Sequence, residues 1–201
     1  MQVSGCKFWD RAIILMEYTD VIFSRRSVRN FDSKEIPDNI LMKILEAGRV
    51  APSCQNKQCW RFIVVNDKIL IKKLALKSGF ISKVNFFIKN APIIIVACAN
   101  PARSCKLNEQ NYYLVDTAIS FQQMILTAWN FGIGCCWLAA FNENIVKNIL
   151  KIPDKIRVVA LSPFGYPKEK ESIYAKTVST FAQSRKRLSL NKIVSYNKWE
   201  L

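Results

Sequence analysis

The sequence predicts an α+β fold in which a central mixed or antiparallel sheet is flanked by helices. Helical and strand-like apolar patterns alternate along the chain, without an internal repeat. Residues 92–98 (PIIIVAC) form an apolar run that is typical of a central strand buried on both faces. Residues 111–131 give the longest helical pattern. Because this helix is apolar on nearly every side, it must be enclosed by its own domain or by a second subunit.

The remaining elements follow from periodicity and from flanking residues. A helix is predicted over 38–50, with Asp38 as its N-cap and Pro52 just beyond its end. Gly132 is expected to end the long helix as a C-cap, and Gly134 to allow a tight bend. The other predicted segments are, in chain order, a strand at 60–65, a helix from about Asp67, a short extended segment within 132–141, a short helix, a strand at 155–167 and a short helix near 189–195.

Length and composition favour one compact domain. The chain has 201 residues, of which 50% are hydrophobic, and it contains no Gly/Ser linker. We therefore predict an N-terminal extension over 1–17 and a single domain over 18–201. The longest apolar run outside the N-terminus, 91–99, has the length of a buried strand, and the N-terminus fits neither a signal peptide nor a membrane span. We expect no membrane partner and a cytoplasmic location.

Cysteine and histidine usage narrows the possible chemistry. The seven cysteines include no C-x-x-C pair, which favours a reduced protein with mostly buried thiols and no metal site. The chain has no histidine, and this excludes Ser-His-Asp and Cys-His nucleophiles as well as His-ligated metals. Any catalysis must therefore depend on other groups or on a cofactor.

The charge balance favours an anionic partner. Lys and Arg number 30 against 15 Asp and Glu, which gives a formal charge of +15. Nucleic acid, a membrane surface or a phosphorylated ligand would suit this charge, and a solvated basic surface would also explain it. A nucleic-acid-binding domain is the weaker alternative, because no RNP, helix-turn-helix or zinc-finger pattern is present. No nucleic-acid partner is expected.

The first stretch that could bind a ligand is SRRSVRNF, residues 24–31. Its three arginines offer planar forks that match phosphate, whereas many of the lysines are scattered. A helix that starts after the turn at RRS would add free backbone N–H groups, so this stretch predicts a phosphate site. A solvated turn is the alternative.

Two further stretches combine polar or small residues with the predicted ends of elements. APSCQNKQCWRF, residues 51–62, places side chains that both donate and accept hydrogen bonds between a helix end and a strand start. A hydrogen-bonded turn without a ligand explains it equally well. In GIGCCWLAAF, residues 132–141, the small residues at 139 and 140 could let a flat molecule approach the backbone, or could serve strand packing. A lone G-x-G is not a dinucleotide motif.

Taken in order, these stretches resemble the FMN-dependent nitroreductase family. RRSVRNF resembles its arginine-rich entry motif, and APSCQNKQCWRFIVV resembles its AP-S-x-x-N-x-Q-P-W loop and first strand. NFGIGCCWLAAF is similar to its G-L-G-x-C-W segment, and the tail SRKRLSLNKIVSYNKW to its basic C-terminal motif. The resemblance runs from about residue 18 to residue 199, with four motifs in register.

The resemblance implies a nitroreductase-like fold and a homodimer with a C-terminal arm. Two tightly bound FMN molecules would lie at the interface, each held by both subunits, and the flavin would carry the chemistry, so no side chain is assigned a catalytic role. The residues implied at the FMN phosphate are Arg25, Arg26, Ser27, Arg29 and Arg185, joined by Lys186 or Arg187. The residues implied at the ribityl chain and ring from the other chain are Pro52, Ser53, Cys54, Asn56 and Gln58. Those implied along one side of the ring, with a backbone N–H at N5, are Trp137, Leu138, Ala139 and Ala140.

The implied activity is a ping-pong oxidoreductase reaction. NAD(P)H would be the electron donor, and a small nitroaromatic, quinone or similar electron-poor molecule the acceptor. The alternative is a specialised flavoenzyme of the same family, such as an ene-type reductase, a dehalogenase or a flavin-processing enzyme. Cys59 stands where the family usually has Pro, Ala139 where many members have Gly, and Ser195 where a histidine is common. The residues within 100–113 that would cover the substrate stay unassigned.

Overall fold

The computed structural model of the chain describes residues 16–79, 85–168, 177, 180 and 186–199. The chain divides into two compact units, residues 1–169 and residues 170–201. Of the predicted N-terminal extension, only Met16 and Glu17 fall within the described residues. The assignment of 18–201 to one domain stays a prediction.

Helices and strands alternate in the described part of the first unit. The helices are α1 (Tyr18–Ser24), α2 (Asp38–Arg49), α3 (Lys68–Lys77), α4 (Tyr112–Asn130) and α5 (Glu143–Leu150). The strands are β1 (Trp60–Val65), β2 (Ile93–Ala99), β3 (Lys106–Leu107), β4 (Gln110–Asn111), β5 (Gly134–Cys135) and β6 (Arg157–Gly165). In the described part of the second unit, the helix predicted near 189–195 is a single 3-10 turn, Leu190–Lys192.

The main sheet has four strands in the order β1-β2-β6-β5, and every neighbouring pair is antiparallel. β3 and β4 form a separate hairpin. All seven residues of β2 are buried, as its continuous apolar pattern predicted for a central strand. The predicted α+β fold, with an antiparallel sheet flanked by helices, is confirmed.

The two faces of β2 contribute to two different apolar clusters. Ile93, Ile95 and Ala97 belong to the cluster that includes residues of α2 and α4. Ile94 and Val96 point the other way, into the cluster that includes residues of α3 and α5. Because successive side chains of a strand point to opposite faces, a strand covered on both sides needs apolar residues at every position.

Helices α2 and α4 approach each other closely at Gly48. A Cβ at this position would lie 2.6 Å from Met124 Sδ, so a side chain there would force Met124 to move. The Ser120 hydroxyl donates a 2.6 Å hydrogen bond to the Gly48 carbonyl at the same crossing. Gly48 is therefore required by packing and not by its backbone angles.

Most predicted helix ends are confirmed. The Asp67 carboxylate caps α3 by accepting hydrogen bonds from the N–H groups of Ile69 and Leu70, at 2.7 and 2.8 Å. Gly132 follows α4 with a φ of +72°, and Ile133 N–H donates to Ala128 O over 2.9 Å, the pattern of a glycine C-terminal motif. The prediction for α2 is wrong by one residue. Pro37 occupies the N-cap position, and the Asp38 carboxylate lies in the first turn, near the positive end of the helix dipole.

Glu143 joins the start of α5 to the start of β6. Its carboxylate accepts hydrogen bonds from Arg157 Nε at 3.0 Å and from Val158 N–H at 2.9 Å, and Lys147 Nζ lies 3.3 Å away. Burial opposes ionisation of this carboxyl, but the bonds from Arg157, Val158 and Lys147 outweigh it and lower the pKa of Glu143. The ionised carboxylate therefore stabilises the folded chain.

We expect Glu143→Gln to destabilise the protein by about 1 kcal/mol at neutral pH, which lowers the melting temperature by about 2–4 °C. A group whose pKa is lowered by folding contributes stability above its unfolded pKa and loses this contribution as the pH falls through its folded pKa. The difference between the variant and the parent should therefore shrink below about pH 4, near the unfolded pKa of a glutamate. Thermal unfolding monitored by circular dichroism across this pH range measures the effect.

The matched control is Glu46→Gln. Glu46 also bonds an arginine, Arg49, over 2.6 Å, but both side chains are largely exposed. Exposed pairs contribute little to stability, so the control should melt with the parent at every pH. Equal losses in the two variants would contradict the assignment of the effect to the α5–β6 contact.

Candidate functional site

The arginine-rich segment, residues 24–31, lies along the outer edge of the sheet. Ser27 forms a parallel bridge with Cys135 of β5, and Val28 N–H donates to Cys135 O over 2.8 Å. Phe31 bridges to Pro167 farther along the same edge. Two stretches that the sequence singled out separately, 24–31 and 132–141, are thus neighbours in the fold.

Gly134 makes this close approach of the two stretches feasible. A Cβ at Gly134 would lie 2.7 Å from Val28 Cβ and 3.1 Å from Pro167 Cγ, inside van der Waals contact with both. The sequence predicted that Gly134 allows a tight bend. The structure gives a further reason for the glycine, which is the contact with the arginine-rich segment.

The helix predicted to begin after the RRS turn is not there. α1 ends at Ser24, Arg25 follows as its C-cap, and the next helix begins at Asp38. The end of a helix presents carbonyl groups and the negative end of its dipole, so it does not attract an anion. Donors for an anion must therefore come from the side chains of the segment and from its extended backbone.

Arg25 and Arg29 supply positive charge that is not neutralised by a carboxylate of the described residues. Both side chains are half-buried, and no ion pair among the described residues involves either of them. Burial raises the pKa of the Cys136 thiol. The positive charges of Arg29 and Arg25, which lie nearby, act in the opposite direction and lower it, but burial has the larger effect. Half-buried guanidinium groups without a carboxylate partner favour an anion brought by a ligand.

Residues 137–140 follow Cys135, the bridge partner of Ser27, along the chain, and part of this segment is exposed. Leu138 pairs with Leu161 of β6, and the Trp137 ring stacks edge-on against Phe121 of α4 at 5.1 Å. Ala139 and Ala140 are exposed, and no described hydrogen bond uses their N–H groups. Small exposed residues with free N–H groups suit contact with a flat molecule that accepts hydrogen bonds.

The polar loop, residues 51–59, has an unusual backbone. Gln55, Asn56 and Gln58 have positive φ angles of 52°, 53° and 47°, a region that costs energy for residues other than glycine. Ser53 Oγ accepts a 3.0 Å hydrogen bond from Gln58 N–H, and Gln58 Nε2 donates to Asn56 Oδ1 over 3.0 Å. The loop is thus held by its own polar side chains, as the hydrogen-bonded alternative proposed, while Pro52 is exposed at its start.

Asp116 of α4 anchors the polar loop, and the sequence analysis missed it. Its side chain is 2% exposed and accepts hydrogen bonds from Cys54 N–H at 2.9 Å and from Ser104 Oγ at 3.3 Å. Asp116 is the one charged residue in α4, whose sequence is otherwise apolar or neutral. A lone carboxylate in an apolar helix is the signal that could have identified it.

Cys54 forms a disulfide with Cys105, so the expectation of a fully reduced protein is wrong for this pair. The two Cα atoms are 6.2 Å apart, although the residues are 51 positions apart in the chain. Spacing in the sequence could not reveal this contact. The implied cofactor contact of Cys54 can involve its backbone, but its sulfur is bonded to Cys105.

The other described cysteines agree with the expectation of buried thiols. Cys59, Cys98, Cys135 and Cys136 are free and buried. Burial raises the pKa of Cys98 and of Cys135 to about 12. These thiols stay protonated at neutral pH and are poor nucleophiles.

The polar loop and the arginine-rich segment lie at opposite corners of the sheet. The loop leads into Trp60, which pairs with Ala99 at the C-terminal end of β2. At the other side of the sheet, Cys135 pairs with Phe164 of β6. Phe164 in turn pairs with Ile93, at the N-terminal end of β2. The length of β2 and the width of the sheet together separate these corners by roughly 25 Å. One chain by itself therefore does not place both stretches around the same small ligand.

The basic tail belongs to the second unit. Lys186 and Arg187 are exposed, and Arg187 Nη1 donates to the carbonyl of Lys186 over 2.9 Å. Arg185, the third basic residue predicted to contact a phosphate, lies outside the described residues.

The described ranges contain no group of three or more His, Cys, Asp and Glu residues that could hold a metal ion. In the same ranges, every helix is too short or too polar to cross a membrane.

The chain is similar to several known proteins of one family. A protein of Archaeoglobus fulgidus named as an NADH dehydrogenase or NAD(P)H nitroreductase is 33% identical over 164 residues, which covers 79% of this chain and 90% of that protein. A nitroreductase family protein from Clostridium novyi NT, solved by crystallography, is 42% identical with a TM-score of 0.73, covering 77% of this chain and 87% of that one. An FMN-dependent nitroreductase from Clostridium difficile R20291 has a TM-score of 0.70 at 26% identity, covering 90% of this chain and 99% of that one.

The family comparison covers most of the first unit. The model of the nitroreductase family matches residues 22–79 and 82–166, which include the arginine-rich segment, the polar loop and residues 137–140. The chain belongs to the nitroreductase family of oxidoreductases.

Proposed function

We propose that this protein is an FMN-dependent NAD(P)H oxidoreductase that works by a ping-pong cycle on small electron-poor acceptors. Bound FMN would supply two-electron transfer from NAD(P)H to the acceptor. The observation that carries the proposal is the pair of half-buried guanidinium groups, Arg25 and Arg29, on a segment that bridges Cys135, together with the exposed Ala139 and Ala140 that follow Cys135 along the chain. A phosphate and a flat ring joined by a short chain would match these two features. No histidine is needed for such a reaction.

The arginine-rich segment would hold the FMN phosphate. Guanidinium groups bind phosphate through paired N–H donors, and the exposed Ser27 hydroxyl can add a further hydrogen bond. Arg26 is exposed on the same segment. The tail residues Arg185, Lys186 and Arg187 stay proposed contacts, and the charge of the tail suits the same anion.

Residues 137–140 would position the ring. The unused N–H groups of Ala139 and Ala140 are the donors available to a ring nitrogen such as N5. The Trp137 side chain, fixed against Phe121 at 5.1 Å, keeps this segment rigid. A rigid backbone donor is what orientation of a cofactor requires.

A second copy of the chain would complete the site. Leu114, Val115 and Ile119 of α4 are 46%, 43% and 39% exposed, so one side of this apolar helix is uncovered in the single chain. The polar loop lies at the far corner of the sheet from the arginine-rich segment. A dimer that covers α4 would bury these side chains and bring the loop of one protomer to the arginines of its partner.

The tail offers a further surface to the partner. Large apolar side chains of the described tail residues are exposed, namely Leu188, Leu190, Ile193, Val194, Tyr196 and Trp199. We propose that they form the C-terminal arm, which packs against the second copy. A cytoplasmic location, where NAD(P)H is available, fits the proposal.

Mutation of Arg25 tests the proposed contact with the FMN phosphate. Arg25→Ala removes a charge-assisted contact worth about 1.5–3 kcal/mol, so FMN affinity should fall at least tenfold while the oligomeric state is unchanged. Titration of the apoprotein with FMN, followed by flavin fluorescence, measures the dissociation constant. The matched control is Arg49→Ala, whose guanidinium is exposed and bonded to Glu46. If Arg25→Ala binds FMN as tightly as the parent and Arg49→Ala, the phosphate does not lie at Arg25.

Charged residues on the exposed side of α4 test the proposed dimer interface. Replacing Val115 and Ile119 together by Lys places like charges on the exposed side of α4, so the protein should become monomeric and lose FMN. Light scattering gives the mass in solution, and the visible spectrum gives the bound flavin. The matched control replaces Ile69 and Leu76 by Lys, because these residues are exposed apolar positions on another helix, α3. A double α4 variant that stays dimeric and yellow would place the interface elsewhere.

Steady-state kinetics test the proposed ping-pong cycle and the class of acceptor. With NAD(P)H and a quinone as varied substrates, a ping-pong cycle gives parallel double-reciprocal lines, whereas intersecting lines would mean that both substrates must bind together. Nitroaromatic, quinone, enone and halogenated phenol acceptors, compared by their kcat/KM values, test the acceptor class. Turnover of nitroaromatics and quinones is expected. Turnover confined to the enone or to the halogenated phenol would replace the proposal by a specialised activity.

A further inference from the structure

We propose that the Cys54–Cys105 bridge is a redox-active disulfide that exchanges with dithiols, and that its reduction loosens the polar loop and weakens ligand binding there. The effect on ligand binding rests on the proposed function, because the loop is where FMN from the partner protomer would bind. Disulfide exchange and loosening of the loop depend only on this chain.

The disulfide joins two segments that meet only in the folded chain. Cys54 lies in the polar loop, and Cys105 precedes the β3–β4 hairpin, whose turn residues Asn108 and Glu109 both have positive φ angles, 49° and 63°. The carbonyl of Cys105 accepts a 3.0 Å hydrogen bond from Tyr112 N–H at the start of α4. The bridge thus ties the loop to the segment for which the sequence could assign no role.

The loop has restraint from outside in addition to its own hydrogen bonds. Its three residues with positive φ, Gln55, Asn56 and Gln58, lie within the four residues after Cys54. Such a backbone persists only where its surroundings determine it. A covalent bond at Cys54, the residue just before these positions, is the strongest restraint on the loop among the described residues. Reduction removes it and lets these residues return to commoner backbone angles.

A second, non-covalent connection runs parallel to the disulfide. Asp116 accepts from Cys54 N–H at 2.9 Å and from Ser104 Oγ at 3.3 Å, and Ser104 is the neighbour of Cys105. Lys57 Nζ lies 3.5 Å from the Ser104 carbonyl, as a weaker contact between the same segments. Reduction would therefore leave the two segments adjacent but less restrained, without unfolding the domain. A reversible redox centre needs this property, since the thiols must stay close enough to be oxidised again.

Accessibility decides which sulfur is attacked. Cys54 is half-buried, whereas Cys105 is 7% exposed, so an incoming thiolate reaches Cys54 Sγ first. Its attack forms a mixed disulfide and breaks the bond to Cys105, which leaves as a thiolate and takes up a proton. The second thiol of the reductant then displaces Cys54. Two electrons and two protons pass from the dithiol to the protein, and the reductant ends as a disulfide.

Cys59, the third cysteine of this region, does not take part in the thiol–disulfide exchange. Cys59 is fully buried, with its sulfur 3.8 Å from Asp116 Oδ2, and burial raises its pKa above the usual value. The protonated Cys59 thiol cannot compete in the exchange. If the protein resides in the cytoplasm, as its sequence predicts, the bridge belongs to a compartment where protein disulfides are mostly catalytic or redox-sensing.

The test uses the full-length protein treated with excess dithiothreitol, or with oxidised glutathione. Alkylation followed by peptide mass spectrometry reports the state of Cys54 and Cys105, and hydrogen exchange reports the loop in the absence of FMN. We expect both thiols to be alkylated only after reduction, without denaturant, and to pair again on oxidation. Exchange of residues 53–58 should rise at least tenfold on reduction. A bridge that resists reduction in the folded state, or a loop whose exchange does not change, would overturn the proposal.

Variants separate the bridge from a general effect of the reductant. Replacing Cys54 and Cys105 together by Ser should reproduce the reduced protein and abolish its response to dithiothreitol. Cys98→Ala, which removes a free cysteine from the buried strand β2, should respond as the parent does. A response of the double variant equal to that of the parent would show that the reductant acts elsewhere.

FMN titration of the oxidised and reduced protein tests whether reduction of the disulfide weakens ligand binding. We expect the dissociation constant to rise at least tenfold on reduction, and equal affinity in the two states would overturn the coupling. If neither state binds FMN, the proposed function fails. The alkylation and hydrogen-exchange results then still decide whether the disulfide is redox-active and restrains the loop.

Discussion

Burial of β2 on both faces is the constraint on which the rest of the structure depends. The strand belongs to both main apolar clusters, so the helices on each side are positioned relative to it. Its antiparallel neighbours fix the corners of the sheet, and the polar loop and the arginine-rich segment lie at two of those corners. Trp60 extends from one corner and Cys135 lies at the opposite one. A site that needs both stretches must therefore use two chains.

The proposed anion site does not depend on a helix N-terminus. α1 ends just before Arg25, so its dipole does not help, and the positive charge comes from side chains held against the sheet edge. Val28 N–H and Gly134 keep this segment close to β5. The absence of histidine then fits a chemistry that a cofactor supplies, with the protein contributing orientation and charge.

The polar loop shows how one buried carboxylate can organise a neighbourhood. Asp116 satisfies its hydrogen bonds with Cys54 and Ser104, and the disulfide to Cys105 reinforces the same contact. These links maintain backbone angles that Gln55 would avoid in an unrestrained chain. Restraint and the proposed ligand binding thus meet in one short segment, and we propose that a covalent change acts there.

The sequence alone determined the α+β class, the central strand, the start of α3 near Asp67 and the end of α4 at Gly132, because periodicity and helix ends depend on residues close in the chain. Through its motifs it also indicated the family. Only the tertiary structure decided that Cys54 meets Cys105, that Asp116 anchors the loop and that a helix ends just before Arg25. These features depend on contacts between residues far apart in the chain, or on a boundary that packing against the sheet edge sets, and no local pattern records them.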